Sequence, residues 1–64
     1  MFKIVNRYGK SVTVTMSMKE KTVFNSDVLP NIICSFLNKK ETKPEWLVNS
    51  FDFNLCKPYK VERV

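Results

Sequence analysis

The chain of 64 residues has no histidine, no alanine, no glutamine and a single glycine, Gly9. Histidine is the side chain most often used for general acid–base catalysis, so its absence removes the commonest catalytic constellations. The acids Asp27, Glu45 and Asp52 each have a cap or turn position that accounts for them. No catalytic residue is therefore expected, and the chain reads as non-enzymatic. One glycine cannot build a phosphate-cradling loop. Two cysteines, Cys34 and Cys56, with no histidine cannot supply the four ligands of a structural zinc site within one chain, so neither metal nor cofactor is expected.

Long apolar runs are missing as well. Nothing approaches the ~18 consecutive apolar residues of a membrane span, so no membrane partner is expected. The opening MFKIVNR places Lys3 and Arg7 without an apolar stretch between them, which is not the pattern of a secretory signal. A cytoplasmic protein with reduced thiols is the simplest expectation. Lysine greatly outnumbers arginine and asparagine is frequent, the usage expected of AT-rich codons and hence of a low-GC bacterium or one of its viruses.

What is present suits one small domain, residues 1–64, with 44% hydrophobic and 27% charged residues. A chain of this size buries only about 60% of its unfolded surface, which makes the core marginal. The stretch Ser26 to Lys40 carries a helical pattern: at 100° per residue Val28, Leu29, Ile32, Ile33, Phe36 and Leu37 form one apolar half. Ser26 or Asn25 can cap it, Pro30 is tolerated in its first turn, and Lys39 and Lys40 favour its negative end. The opposite half holds Asn31, Cys34, Ser35 and Asn38 with no charge between Asp27 and Lys39. Such a neutral face is unusual for a solvated helix and is the candidate protein-binding site; burial of Cys34 under another element is the structural alternative.

The N-terminus reads as a hairpin. Phe2 and Ile4 alternate with Lys3, and Val12, Val14, Met16 and Met18 alternate with Ser11, Thr13, Thr15 and Ser17. Both apolar sets are even-numbered, so an antiparallel pairing needs an odd loop. A type I turn at Arg7-Tyr8 with Gly9 in the left-handed region fits, putting Asn6 opposite Lys10, Ile4 opposite Val12 and Phe2 opposite Val14. Lys19-Glu20-Lys21 then reads as a charged turn and Thr22-Val23-Phe24 as a short third strand or a strand-like approach to the helix. Thr42-Lys43-Pro44-Glu45 resembles a capping box that starts a short second helix bearing Trp46, Leu47 and Phe51. Alternation returns from Phe51 to Leu55 and again at Tyr59 and Val61, giving one or two C-terminal strands. The fold class is α+β: a small antiparallel sheet made of the hairpin and the C-terminal strands, with the main helix packed on it.

Charge is uneven. The whole excess of +5 lies in the first forty residues, mostly on the hairpin. Lys3, Arg7, Tyr8, Lys10, Lys19 and Lys21 form a candidate nucleic-acid surface, although few of the cations are the arginines suited to base edges. Two aromatic residues, Tyr8 at the hairpin tip and Tyr59 after Pro58, are candidates for exposure. These features support a small regulatory protein that docks on another protein, of the kind a phage or mobile element encodes against a host factor, acting as a monomer or small homo-oligomer. A nucleic-acid-binding module using the basic hairpin is the alternative.

Overall fold

The fold, a computed structural model describing residues 1–48 and 52–64, starts from the expected hairpin. Strands β1 (Phe2–Val5) and β2 (Ser11–Met16) run antiparallel with Ile4 opposite Val12. The Asn6 N–H donates to the Lys10 carbonyl and the Gly9 N–H to the Asn6 carbonyl, both at 3.0 Å, and Gly9 has φ +78°. The loop is therefore three residues long with glycine in the left-handed position. Asn6 also closes it from within: its Oδ1 accepts from the backbone N–H groups of Tyr8 at 2.9 Å and Lys10 at 3.1 Å. That double acceptance satisfies the oxygen of a buried amide, whose Nδ2 donates to Cys56 Sγ at 3.7 Å. Arg7 N–H donates to the Cys56 carbonyl at 2.9 Å, which ties the loop to the C-terminal part of the chain.

Beyond Ile4 and Val12 the two strands part, so Phe2 does not meet Val14. The chain turns at Ser17-Met18, both at positive φ (50° and 64°), into β3 (Lys19–Lys21), which pairs with β2 through Met16 opposite Lys19 and Val14 opposite Lys21. Lys19-Glu20-Lys21 is thus a strand and not the turn that its charge suggests. After Thr22, whose hydroxyl lies 2.9 Å from that of Thr13, strand β4 (Val23–Phe24) crosses to β1 and sets Phe24 opposite Phe2.

Helix α1 spans Val28–Lys39 and packs on this sheet. Asp27, not Ser26 or Asn25, is its N-cap residue, and it makes no side-chain cap bond. Strand β5 (Leu47–Val48) follows, joining β2 on the edge opposite β3, since Val14 pairs with both Lys21 and Leu47. The second helix expected after Thr42 does not form there: Thr15 N–H donates to the Trp46 carbonyl at 2.7 Å, and sheet pairing of Leu47 overrides the local capping pattern. Phe51 lies outside the described residues. Phe53 to Cys56 form turns instead of a strand, with Asp52 Oδ1 accepting from Asn54 and Leu55 N–H. The last strand, β6 (Lys60–Arg63), covers one edge of β1 from Phe2 to Val5, so β2 and β4 share the other. The result is a curled antiparallel sheet with one helix on it, within the α+β class.

The core joins Ile4, Val12, Val14 and Phe24 of the sheet to Ile33, Cys34 and Leu37 of the helix, closed by Leu47, Phe53, Cys56 and Tyr59. Tyr59 is buried, contrary to the exposure that its place after Pro58 suggests; its ring stacks on Phe53 at 5.5 Å and its hydroxyl donates to the Phe53 carbonyl at 3.0 Å. The helix is also rotated from the expected orientation. Pro30, Ile33, Cys34 and Leu37 face inward, whereas Val28, Ile32 and Phe36 face out.

Candidate functional site

Two contacts explain the rotation of α1. Asn38 Nδ2 donates to the Tyr59 carbonyl at 2.9 Å while its Oδ1 accepts from the Tyr59 N–H at 2.7 Å, a paired bond that anchors the last turn to the segment before β6. Cys34, one turn earlier, is small enough to let the helix approach that segment and is only 5% exposed. Burial pushes its thiol from the ordinary 9.0 up to about 11, so near neutral pH it is held as the thiol and not as the nucleophilic thiolate. Asn31 is exposed and its Nδ2 donates to the Asp27 carbonyl at 2.7 Å, and Ser35 is exposed. The four residues of the neutral face thus divide: Asn31 and Ser35 face solvent, Cys34 belongs to the core, and Asn38, itself exposed, is tied to the Tyr59 backbone.

The basic residues are also separated. Arg7, Tyr8 and Lys10 cluster at the hairpin tip, where the Arg7 guanidinium lies 5.6 Å from the Tyr8 ring centre. Lys3 is half-buried in mid-strand, with Val23 on one side and Glu62 on the other. Lys19 and Lys21 sit at the far end of β2, about 17 Å from the tip at the rise of an extended strand. Because residues directly opposite in a ladder share a face, Lys19 and Lys21 project on the side of Met16 and Val14, the side that carries the helix.

That side also holds apolar residues whose helical spacing predicts burial. Val28 is 63% exposed, Ile32 60% and Phe36 46%. They are spaced by four and form a ridge along the helix. Phe36 leans on Trp46, ring centres 5.8 Å apart, and the Lys40 ammonium lies 5.1 Å from the Phe36 ring. Between helix and sheet runs a groove of about 240 Å³ lined by Val14, Thr15, Met16, Leu29, Ile33 and Trp46. It adjoins a second depression of about 370 Å³ that shares Leu29 and Met16 and is bordered by Lys19, Glu20 and Lys21. The sequence did carry a signal for this: eight of the twelve residues of α1 are apolar, counting Pro30 and Cys34, more than one sheet face can cover.

Among the described residues no group of three or more histidine, cysteine, aspartate or glutamate side chains could hold a metal ion, and no helix is long and apolar enough to cross a membrane. Comparison with family models, with curated proteins and with solved structures finds no match to this chain.

Proposed function

We propose that this chain is a small non-enzymatic binding protein that acts by docking on another protein, and that the ridge Val28, Ile32 and Phe36 with the adjoining groove is its docking surface. The supporting observation is the outward apolar ridge. Apolar side chains are costly to leave in water as a contiguous stripe, and such stripes mark interaction surfaces in small proteins. Phe36 and Trp46 supply the aromatic anchors that dominate interface energetics. The surface differs from the neutral face of Asn31, Cys34, Ser35 and Asn38, but lies on the same helix. A modulator encoded by a phage or mobile element against a host factor would work in this way, occupying a partner's surface without chemistry of its own.

Nucleic-acid binding is the second reading, supported by the exposed Arg7, Tyr8 and Lys10 at the hairpin tip. Two cations there would neutralise about two phosphates, giving a log–log salt slope of only about −1.4 to −1.8. Affinity capture with the wild type, Ile32→Glu and an Arg7→Ala/Lys10→Ala variant, each with and without nuclease, separates the two. A protein retained by the wild type and the hairpin-tip variant, lost with Ile32→Glu and indifferent to nuclease supports docking. Retention that follows the tip cations and vanishes with nuclease reverses the order.

A further inference from the structure

We infer that the occupant of the groove beside α1 is an acidic amphipathic helix of the partner protein. This rests on the docking role proposed above and adds the chemistry of what docks. The groove walls are side chains, nearly all apolar, and the strand behind them has no free edge: Val14 pairs with Lys21 on one side and Leu47 on the other, and the Thr15 N–H is taken by the Trp46 carbonyl. An extended segment laid here would bring its own N–H and C=O groups against apolar surface with no ladder to join, which leaves buried polar groups unpaired. A helix satisfies its backbone internally and presents only side chains, so it is the element that fits. Its side chains at spacings of three and four also match a ridge made of Val28, Ile32 and Phe36.

Charge selects the kind of helix. Lys19 and Lys21 project on the groove side of the sheet, at the end where Leu29 and Met16 line both depressions. Lys40 lies over Phe36 at the other end of the ridge. The acid of β3, Glu20, stands opposite Thr15 yet borders the same depression, where Lys19 and Lys21 outnumber it. Cations thus bracket the apolar ridge, in a chain whose net charge is +5. Two copies docked through this face would bring their lysines together, whereas glutamates flanking an apolar stripe would meet them.

Trp46, the chain's one tryptophan, lines the groove and reports occupancy by its fluorescence. The probes are four synthetic peptides of about 18 residues, long enough for five helical turns. One carries leucines at helical spacing with glutamate elsewhere, one has lysine in place of the glutamates, one has the acidic composition with the helical spacing scrambled, and one alternates leucine and glutamate with prolines that forbid a helix. The acidic amphipathic peptide should bind, and the lysine version should bind about tenfold more weakly at low salt, the effect expected of a few exposed ion pairs. A Lys19→Glu/Lys21→Glu variant should reverse that preference, and Ile32→Glu should abolish binding with the circular dichroism spectrum unchanged. Equal binding of the acidic and basic helices, or equal binding of the proline peptide, overturns the inference. If Ile32→Glu still blocks whatever does bind, the docking role survives. Sedimentation showing a dimer that Ile32→Glu dissociates makes a second copy the occupant and overturns it too. No binding of any peptide up to about 1 mM, together with unchanged partner capture by Ile32→Glu, removes both the inference and the docking surface.

Discussion

Asn38 and Asn31 occupy the same side of the α1 pattern, yet the structure assigns them different energies. Asn38 makes two bonds to the backbone of the buried Tyr59, as acceptor at 2.7 Å and donor at 2.9 Å. At about 0.5–1.5 kcal/mol for each net hydrogen bond, Asn38→Ala should cost roughly 1–3 kcal/mol, because it removes both bonds that tie the last turn of the helix to the Tyr59 backbone. Asn38→Asp should be no milder: it keeps the acceptor but loses the donor, and it sets a carboxylate against the Tyr59 carbonyl. Asn31 makes one exposed bond to the Asp27 carbonyl, so Asn31→Ala should change stability by less than about 0.5 kcal/mol. Urea unfolding followed by Trp46 fluorescence and by circular dichroism measures both. In a chain this short each kcal/mol moves Tm by roughly 4–8 °C, so the Asn38 variants are readily distinguished from the wild type. If Asn38→Ala stays within about 0.5 kcal/mol of the wild type, or Asn31→Ala proves as damaging, the account of the helix rotation fails.

The same rotation orders two neighbours: Leu37→Ala should cost about 2–5 kcal/mol, enough to populate the unfolded state, while Phe36→Ala should cost clearly less, and the reverse order in chemical denaturation would contradict the packing. An added Cβ at Gly9 meets nothing within 4 Å, so Gly9→Ala should cost about 1 kcal/mol from its positive φ alone, seen as a lower denaturation midpoint at unchanged slope. Replacing Ser17-Met18 by Asn-Gly should raise stability by roughly 1 kcal/mol, since both residues hold positive φ and Met18 is 98% exposed; a loss would mean that the turn carries a contact the structure lacks. Cys34 gives a pH signature: its folded value near 11 lies above the ordinary 9.0, so the native state holds the proton more tightly than the unfolded state. Its contribution is complete below about pH 9 and is lost as pH rises toward 11, and Cys34→Ala should flatten that alkaline decline in stability.

The hairpin was legible because its turn chemistry is local. An odd loop, an asparagine at its start and the chain's one glycine fix Ile4 opposite Val12 with no help from the rest of the molecule. What followed was not. Nothing near Ser17 and Met18 announces a two-residue turn at positive φ, since neither is glycine or asparagine, and without that turn Lys19 to Lys21 cannot be recognised as a strand. The capping box at Thr42 is a sound local signal, overridden by a bond from Thr15, a residue nearly thirty positions earlier in the chain. The paired bond of Asn38 to Tyr59 is likewise long-range, and no helical wheel contains it.

The misplacement of α1 carries the most information. Six apolar residues form one half of its wheel, and burial by pattern alone would place Ile33 and Phe36 near the centre of the contact. The fold instead centres it on Ile33, Cys34 and Leu37, drawing a thiol inward and leaving Val28, Ile32 and Phe36 outside. Each of the three exposed side chains forgoes about 1.5–3 kcal/mol that full burial would supply, a cost offset in part by the paired Asn38–Tyr59 bond. Local pattern and global fold agree elsewhere in this chain's hairpin and disagree here, and such conflicts fall where a sequence serves something other than its own stability. A partner covering the ridge would recover what the fold leaves exposed. Substituting Ile32 with glutamate should therefore leave stability nearly unchanged while removing binding, and a large loss of stability from that substitution would show that the ridge belongs to the core after all.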